Sequence, residues 1–333
     1  MTRYFTFLLL ILSAALCAPV LAQKQQSPLA GKIICLDAGH GGTAATDSYR
    51  AGPAGEREEW INLRVALLLQ EMLEEKGARV LMTRRADDNI PLADRARLAV
   101  ENQADVFLSV HHNATADPEA NFPIIYFHGN ASENQASVAL GRDVAQALSA
   151  HLYKGNTPVS LVSDHTIFAG AGTKVLRDTY GIPGVIAEAS FFTHAAEEKR
   201  LKKKKYNRRE AQAYVAALEA FFKKPTPAIA PKNSAVSFPP FRAFQEAERM
   251  SETAKLWYQD YREGLELMKR NDTASWQQAY ELFTRSARSF PDSYVAEQCH
   301  ENRAILLEKL GRVKEAEQEA LRAQEHYVQV AAH

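Results

Sequence analysis

Four polar side chains in this chain have the types and positions to do chemistry together. His40 lies in the glycine-rich segment Asp37-Ala38-Gly39-His40-Gly41-Gly42, directly after the short apolar run 32–36. Glu58 opens an apolar-periodic stretch just beyond that loop. His111 follows the apolar run 104–110, and Glu188 ends the run 184–187. Two imidazoles and one carboxylate make a His2Glu set, a ligand arrangement of catalytic zinc that leaves a fourth position for water. Such an ion lowers the pKa of that water and polarises a carbonyl. A second carboxylate, not ligated, then serves as general base. His40, Glu58 and His111 fit the ligand roles for Zn2+, and Glu188 fits the base. Singly, each has a plainer reading. Glu58 can complement a helix dipole, and His40 can be a hydrogen-bonding loop residue. His111 and His112 point to opposite faces if their run is a strand, so only one faces a common site. A carboxylate ending an apolar strand, as Glu188 does, is costly to bury unless paired or functional.

These residues need elements to bring them together. Lys32–Leu36 reads as a strand. Glu58–Lys76 reads as a helix, with Ile61, Val65, Leu68 and Met72 at helical spacing and Gly77 at its end. Strands are expected over 78–83, 104–110, 122–127 and 184–188, and helices over 92–102, 137–153 and 195–222. Strands alternating with helices predict an α/β domain with helices on both sheet faces. Ligands of such sheets bind beyond the carboxyl ends of the strands, where His40, His111 and Glu188 fall.

As a set, these segments resemble the zinc-dependent N-acetylmuramoyl-L-alanine amidases of the amidase-3 type. The likeness runs from about Lys32 to Phe222. Asp37–Gly42 looks like the first metal motif, and Glu58-Glu59-Trp60-Ile61-Asn62-Leu63 like the glutamate-ligand motif, with Glu59 where lysine is usual. Thr83-Arg84, Asp87, Leu92, Arg95, Asn102 and Ala104-Asp105 resemble the stretch before the second histidine. Ser109-Val110-His111-His112-Asn113-Ala114 looks like that histidine's motif and selects His111 as ligand, with His112 where a small residue is usual. Pro183 through Glu188, then Phe191, resembles the catalytic-glutamate motif, but Ala189-Ser190 and Thr193-His194 depart from it. The resemblance implies a mixed sheet flanked by helices on both faces. It also implies hydrolysis of the amide between N-acetylmuramic acid and L-alanine in peptidoglycan, for cell-wall remodelling or turnover. Zinc would hold the developing oxyanion, and Glu188 would pass the water's proton to the leaving amine. Asn113, Arg177 and His112 are candidates for the substrate side. The competing readings are another zinc peptidase or amidase acting on cell-wall peptides, and a non-catalytic wall-binding scaffold.

The 333 residues, 46% hydrophobic and 24% charged, are comfortable for two domains. Lys+Arg and Asp+Glu both total 40, which disfavours a nucleic-acid binder. Residues 1–22 read as a secretory signal peptide: Arg3, then an apolar stretch from Phe5 to Leu16, then Val20-Leu21-Ala22. That stretch is too short for a permanent membrane anchor, so an exported protein is expected, periplasmic or extracellular and cell-wall associated. Cys35 and Cys299 are expected as buried thiols. The expected catalytic domain spans 28–223. Five of the fourteen prolines fall between Pro225 and Pro240, marking a linker over 224–240. Beyond it, 241–333 reads as all helix. Ala279, Phe283 and Pro291, then Gly311, Ala316, Ala320 and Ala323, suggest tetratricopeptide-like helix pairs. Such repeats can hold a protein partner or cap the enzyme, and partner binding is the preferred expectation. Two further features are set aside. Gly170-Ala171-Gly172 lacks the third glycine and the helix context of a nucleotide loop. The eight basic residues within Lys199–Arg209 read as a solvated helix face.

Overall fold

The computed structural model describes residues 26–45, 50–232, 236–244 and 246–330. The expected signal peptide lies outside the described residues. Six strands form one sheet: β1 (Ile33–Ala38), β2 (Arg79–Met82), β3 (Val106–Asn113), β4 (Ile124–Phe127), β5 (Ser160–Ser163) and β6 (Gly184–Phe191), in the order β2-β1-β3-β6-β4-β5. β1 runs parallel to β2 and β3, and β3 to β6. β4 is antiparallel to β6 and parallel to β5. The sheet is therefore mixed. The carboxyl ends of β1, β3 and β6 meet at one edge, and those of β4 and β5 at the opposite edge.

The strands read as near-continuous apolar runs because both faces are covered. On one face Ile34, Leu36, Leu108, Val110, Val185 and Ala187 pack against α1 (Glu58–Glu75), α3 (Gln135–Tyr153) and α6 (Lys204–Phe222). On the other, Cys35, Phe107, Ile124, Tyr126 and Ile186 pack with Ala99 of α2 (Leu92–Glu101) and Val175 of α4 (Lys174–Asp178). That second core continues without a break into the C-terminal helices through Trp257, Phe283, Phe290, Val295 and Cys299.

Those helices are α7 (Glu246–Arg249), α8 (Glu252–Lys255), α9 (Trp257–Met268), α10 (Thr273–Ser289), α11 (Ala296–Lys309) and α12 (Val313–His326). Gly264 lets α9 cross α10 closely, since a Cβ there would lie 2.9 Å from the Phe283 ring. The helical region is fastened to the sheet. Trp257 Nε1 donates to Asp117 at 3.0 Å, and the Ser132 hydroxyl donates to Glu325 at 2.8 Å. The Val328 amide donates to the Leu161 carbonyl at 2.9 Å and Tyr327 bridges to Val162, so residues 327–328 cover part of the outer side of edge strand β5.

Three local expectations change. The helix expected over 195–222 is two, α5 (Ala195–Leu201) and α6, because Asn207 Nδ2 and Arg64 Nη2 take the Leu201 carbonyl at 2.9 and 3.1 Å. With that carbonyl diverted, Lys203 turns extended and starts a new helix. β5 was not expected from the sequence, having only two apolar residues in a four-residue edge strand. β6 runs three residues past Glu188. Cys35 and Cys299 are buried free thiols, each pushed up to about 12 by burial. Among the described residues, no helix is long and apolar enough to cross a membrane.

Candidate metal centre

The site begins with a strained loop. His40 follows β1 at φ +58°, a left-handed conformation uncommon for a residue with a side chain. Two buried arginines hold it there. Arg95 of α2 donates Nη2 to the His40 carbonyl at 2.6 Å, and Nη1 to the Ala38 carbonyl at 3.0 Å and Asp37 Oδ1 at 2.8 Å. Arg84 donates to the carbonyls of Ala38 at 2.7 Å, Gly39 at 2.9 Å and Glu59 at 2.7 Å. Its last bond ties the His40 loop to the first turn of α1, which fixes His40 relative to Glu58. Asp37 also accepts from Ser109 and Thr83. Burial alone would raise its carboxyl, but the Arg95 guanidinium and the Ser109 hydroxyl outweigh burial and hold it below its ordinary value. Gly39 must be glycine, because a Cβ there would lie 2.2 Å from His111 Nε2.

Three side chains converge beyond this loop. His40 Nε2 and His111 Nδ1 lie 3.1 and 3.0 Å from Glu58 Oε1, and the two rings are nearly perpendicular, 4.7 Å between centroids. One ligand atom from each falls within 4.8 Å of the others. A tetrahedral zinc with bonds of about 2.1 Å sets its ligand atoms about 3.4 Å apart. The donor set fits such an ion in chemistry and in spacing. A cationic group already sits at the convergence: Arg50 Nη1 lies 2.7 Å from His40 Nε2 and 3.3 Å from Glu58 Oε2. Burial would raise the Glu58 carboxyl, but the imidazoles, His40 first, hold it well below its usual range. Burial, aided by His40, holds His111 below its ordinary value despite Glu58, which favours the neutral ring a metal requires. Asn62 Nδ2 steadies the arrangement from α1, donating to Glu58 Oε1 and to the Gly39 carbonyl, both at 3.2 Å.

Glu188 stands beside the triad, directly across from His111 in the β3–β6 register. Its Oε2 is buried without a hydrogen-bond partner. Burial first, then the Glu58 and Asp292 carboxylates, push its carboxyl well above the usual range, and only partly do Arg50 and Arg249 oppose them. A buried acceptor with nothing to bind is costly. Such a group with a perturbed pKa, next to a metal-type ligand set, is a candidate functional carboxylate. Asp292 comes from the turn between α10 and α11. It accepts from the Tyr126 hydroxyl of β4 and pairs with Arg249 of α7 at 3.2 Å. The helical region thus reaches the electrostatic surroundings of Glu188.

The other candidates fall differently. His112 is not on the substrate side. Its ring points to the opposite sheet face, 2.8 Å from Asn62 Oδ1 and 3.1 Å from Glu210 of α6, because strand neighbours alternate. Arg177 is on α4, which precedes β6 and so lies toward the opposite edge, where it pairs with Asp178 at 3.5 Å. Asn113 is half-buried at the end of β3, with Oδ1 accepting its neighbour's amide at 2.8 Å. His194 caps α5 through the Glu197 amide at 3.2 Å. All eight basic residues of Lys199–Arg209 are exposed. The roles of Arg50, Arg84 and Arg95 were not legible. The two buried arginines stood in the resemblance, but nothing local said that they grip carbonyls.

A mixed sheet that gathers two imidazoles and a carboxylate at its strand ends, with an unpaired carboxylate on the next strand, defines a hydrolase scaffold suited to a metal ion. The chain belongs to the N-acetylmuramoyl-L-alanine amidase family, whose model matches residues 34–220. It is 31% identical to YqiI of Bacillus subtilis over 215 residues, 63% of this chain and 96% of that protein. It is 29% identical to the probable cell wall amidase LytH of Staphylococcus saprophyticus over 198 residues, 59% of this chain but only 60% of LytH. Among solved structures, CwlD of Clostridioides difficile, in complex with the GerS lipoprotein, aligns at 25% identity and TM-score 0.51 over 58% of this chain and 99% of its own. AmiC2 of Nostoc punctiforme shares the fold at 22% identity and TM-score 0.51, covering 59% of this chain and 99% of its own.

Proposed function

We propose that this chain is a zinc-dependent peptidoglycan amidase, cleaving the bond between N-acetylmuramic acid and L-alanine, with His40, Glu58 and His111 as ligands and Glu188 as base. The observation that carries the assignment of the base is the buried, unpartnered Glu188 oxygen in register with His111. When bound, zinc supplies Lewis acidity toward the amide carbonyl and lowers the pKa of water. The protein's own groups do the rest. Asn62 orients Glu58, and Arg84 and Arg95 lock the loop that aims His40. Glu188 takes one proton from the attacking water and delivers it to the amine nitrogen as the C–N bond breaks. The products are a free lactyl carboxylate and a free L-alanine amine.

An exported, wall-associated protein is consistent with the leader-like residues 1–22 and with relatives named as cell wall amidases. The organisation we favour is a catalytic domain over 28–223, a linker over 224–240 and a tetratricopeptide-like region over 241–333. The core shared with the sheet favours a capping role for that region. A protein partner on its outer surface remains compatible with this. The test is mass analysis of products from purified peptidoglycan, with and without chelator. Glu188→Ala should abolish release of stem peptide while the protein keeps its metal. Retained activity would remove Glu188 from the base role, and cleavage within the stem peptide would favour the peptidase reading.

A further inference from the structure

The opposite edge of the sheet carries a second cluster of the same kind. His128 follows β4, and Asp164 and His165 follow β5 in a short 3-10 turn. Because β4 and β5 run parallel to each other but opposite to β6, these residues lie beyond a second set of strand carboxyl ends. His128 Nδ1 is 2.9 Å from Asp164 Oδ2, and His165 Nε2 is 4.0 Å from Asp164 Oδ1. One ligand atom from each of the three falls within 4.8 Å of the others. The two rings stand at 84° with centroids 5.3 Å apart, against 85° and 4.7 Å for His40 and His111. Two near-perpendicular imidazoles around one buried carboxylate therefore occur twice in this chain.

The surroundings match as well. Gly172, at φ +63°, covers the cluster, and a Cβ there would lie 2.6 Å from both Asp164 oxygens and from His128 Nδ1. Gly39 stands in the same relation to His111. The Gly170-Ala171-Gly172 segment thus has a use unrelated to nucleotides: it brings bare backbone against this cluster. Asp164 is fully buried, and its Oδ2 accepts from the Thr173 amide at 2.7 Å and hydroxyl at 2.8 Å. Outer hydrogen bonds of this kind orient a ligating carboxylate. His165 also lines a cavity of about 180 Å³, together with Asn130, Phe238, Arg322 and His326. His326, from α12, is turned edge-on to His165 with ring centroids 5.6 Å apart. Lys232, whose charge acts on both Asp164 and His165, is held over the Tyr180 ring at 4.6 Å.

We propose that His128, Asp164 and His165 form a second divalent-metal site, of the borderline class that imidazole and carboxylate select, and that it fastens the β4–β5 edge beside the helical region. Zinc is the metal of choice for this donor set. The site is structural and independent of the amidase assignment. Full-length protein stripped of metal and titrated with Zn2+ should bind two equivalents, read by metal analysis after desalting. His165→Ala and Asp164→Asn should each bind one and keep wild-type amidase activity at saturating zinc. The double variant His40→Ala/His111→Ala should be inactive, bind one equivalent, and still gain thermal stability on adding zinc. Asp164→Asn preserves shape, so it guards against a folding failure of the alanine variant. A single equivalent in the wild type that both second-cluster variants retain would overturn the proposal and leave His128–Asp164 a hydrogen-bonded pair. If the amidase reading fails but this one holds, the peptidoglycan assay is silent while zinc loss still tracks His165 and Asp164.

Discussion

Arg95→Lys separates the charge under the candidate metal centre from the geometry that charge enforces. Arg95 and Asp37 have side chains only 3% and 2% exposed, so deleting the arginine strands a buried carboxylate at a cost of about 3–5 kcal/mol. Lysine retains the charge but not the fork. Arginine bonds the Ala38 and His40 carbonyls and Asp37 at once. A point ammonium keeps Asp37 and loses at least one carbonyl, with each such charged bond contributing about 1.5–3 kcal/mol. The expected destabilisation is about 2–3 kcal/mol, tolerable against a total of about 5–15 kcal/mol. It should be read by urea unfolding of metal-free protein. The larger consequence concerns His40, which sits at φ +58° with its carbonyl held by Arg95. Its ring should lose aim, and zinc affinity should fall about 10–100-fold in chelator competition, as for other outer-shell losses. An affinity within twofold of wild type, alongside the expected loss of stability, would refute the idea that Arg95 sets the ligand's direction.

Three further outcomes follow from the same geometry. Burial first, then Glu58 and Asp292, raise the Glu188 carboxyl, and Arg249 opposes them; because the proposed base acts deprotonated, Asp292→Asn should move the acidic limb of kcat/KM to lower pH and Arg249→Ala to higher pH, and an unmoved limb in both would sever the helical region from Glu188. The depressed Asp37 carboxyl contributes stability that is present above its unfolded pKa, about 3.9, and is lost as pH falls through the lower folded value; Asp37→Asn should therefore flatten the acid arm of the stability curve, measured by urea unfolding at several pH values. His112→Ala should cost about 3–5 kcal/mol by leaving the buried Glu210 carboxylate unpaired, while stem-peptide release by the folded fraction persists, because the ring faces away from the triad.

How much of this was legible depended on where the causes lay. His40, Glu58, His111 and Glu188 stood out because local pattern marks each position: glycines around His40, the start of a helical period at Glu58, and apolar runs before His111 and Glu188, although β3 and β6 continue past these two. Strand alternation also warned that only one of His111 and His112 could face the site, and the hydrogen bonds of His112 to Asn62 and Glu210 show which. What failed was long-range or side-chain driven. Arg177 precedes a strand instead of following one, a distinction that requires knowing the direction of β6. The break between α5 and α6 comes from Asn207 and Arg64 capturing one carbonyl, and no propensity encodes that. The packing of the C-terminal helices on the sheet was equally hidden, since Ile124, Tyr126 and Ile186 would read as core whichever element covered them.

That packing bears on what the C-terminal region does. Glu188 shares its sheet face with Ile186, the face on which Tyr126, Phe290 and Trp257 lie in one core. A repeat module tethered only by a proline-rich linker would leave this face to water and Glu188 without neighbours from the helical region. Here Phe122 touches Phe290 and Tyr294 at centroid distances of 5.7 and 5.0 Å, and Tyr126 bonds Asp292. Apolar contact on this scale is worth roughly 25 cal/mol for each Å² removed from water, so the isolated catalytic segment would expose what the full chain buries. Ending the chain at residue 223 should therefore yield an aggregating amidase, read as loss of the monomer peak in size-exclusion chromatography. A soluble, monomeric, fully active 26–223 fragment would show instead that the module is a separate body, free to serve a partner.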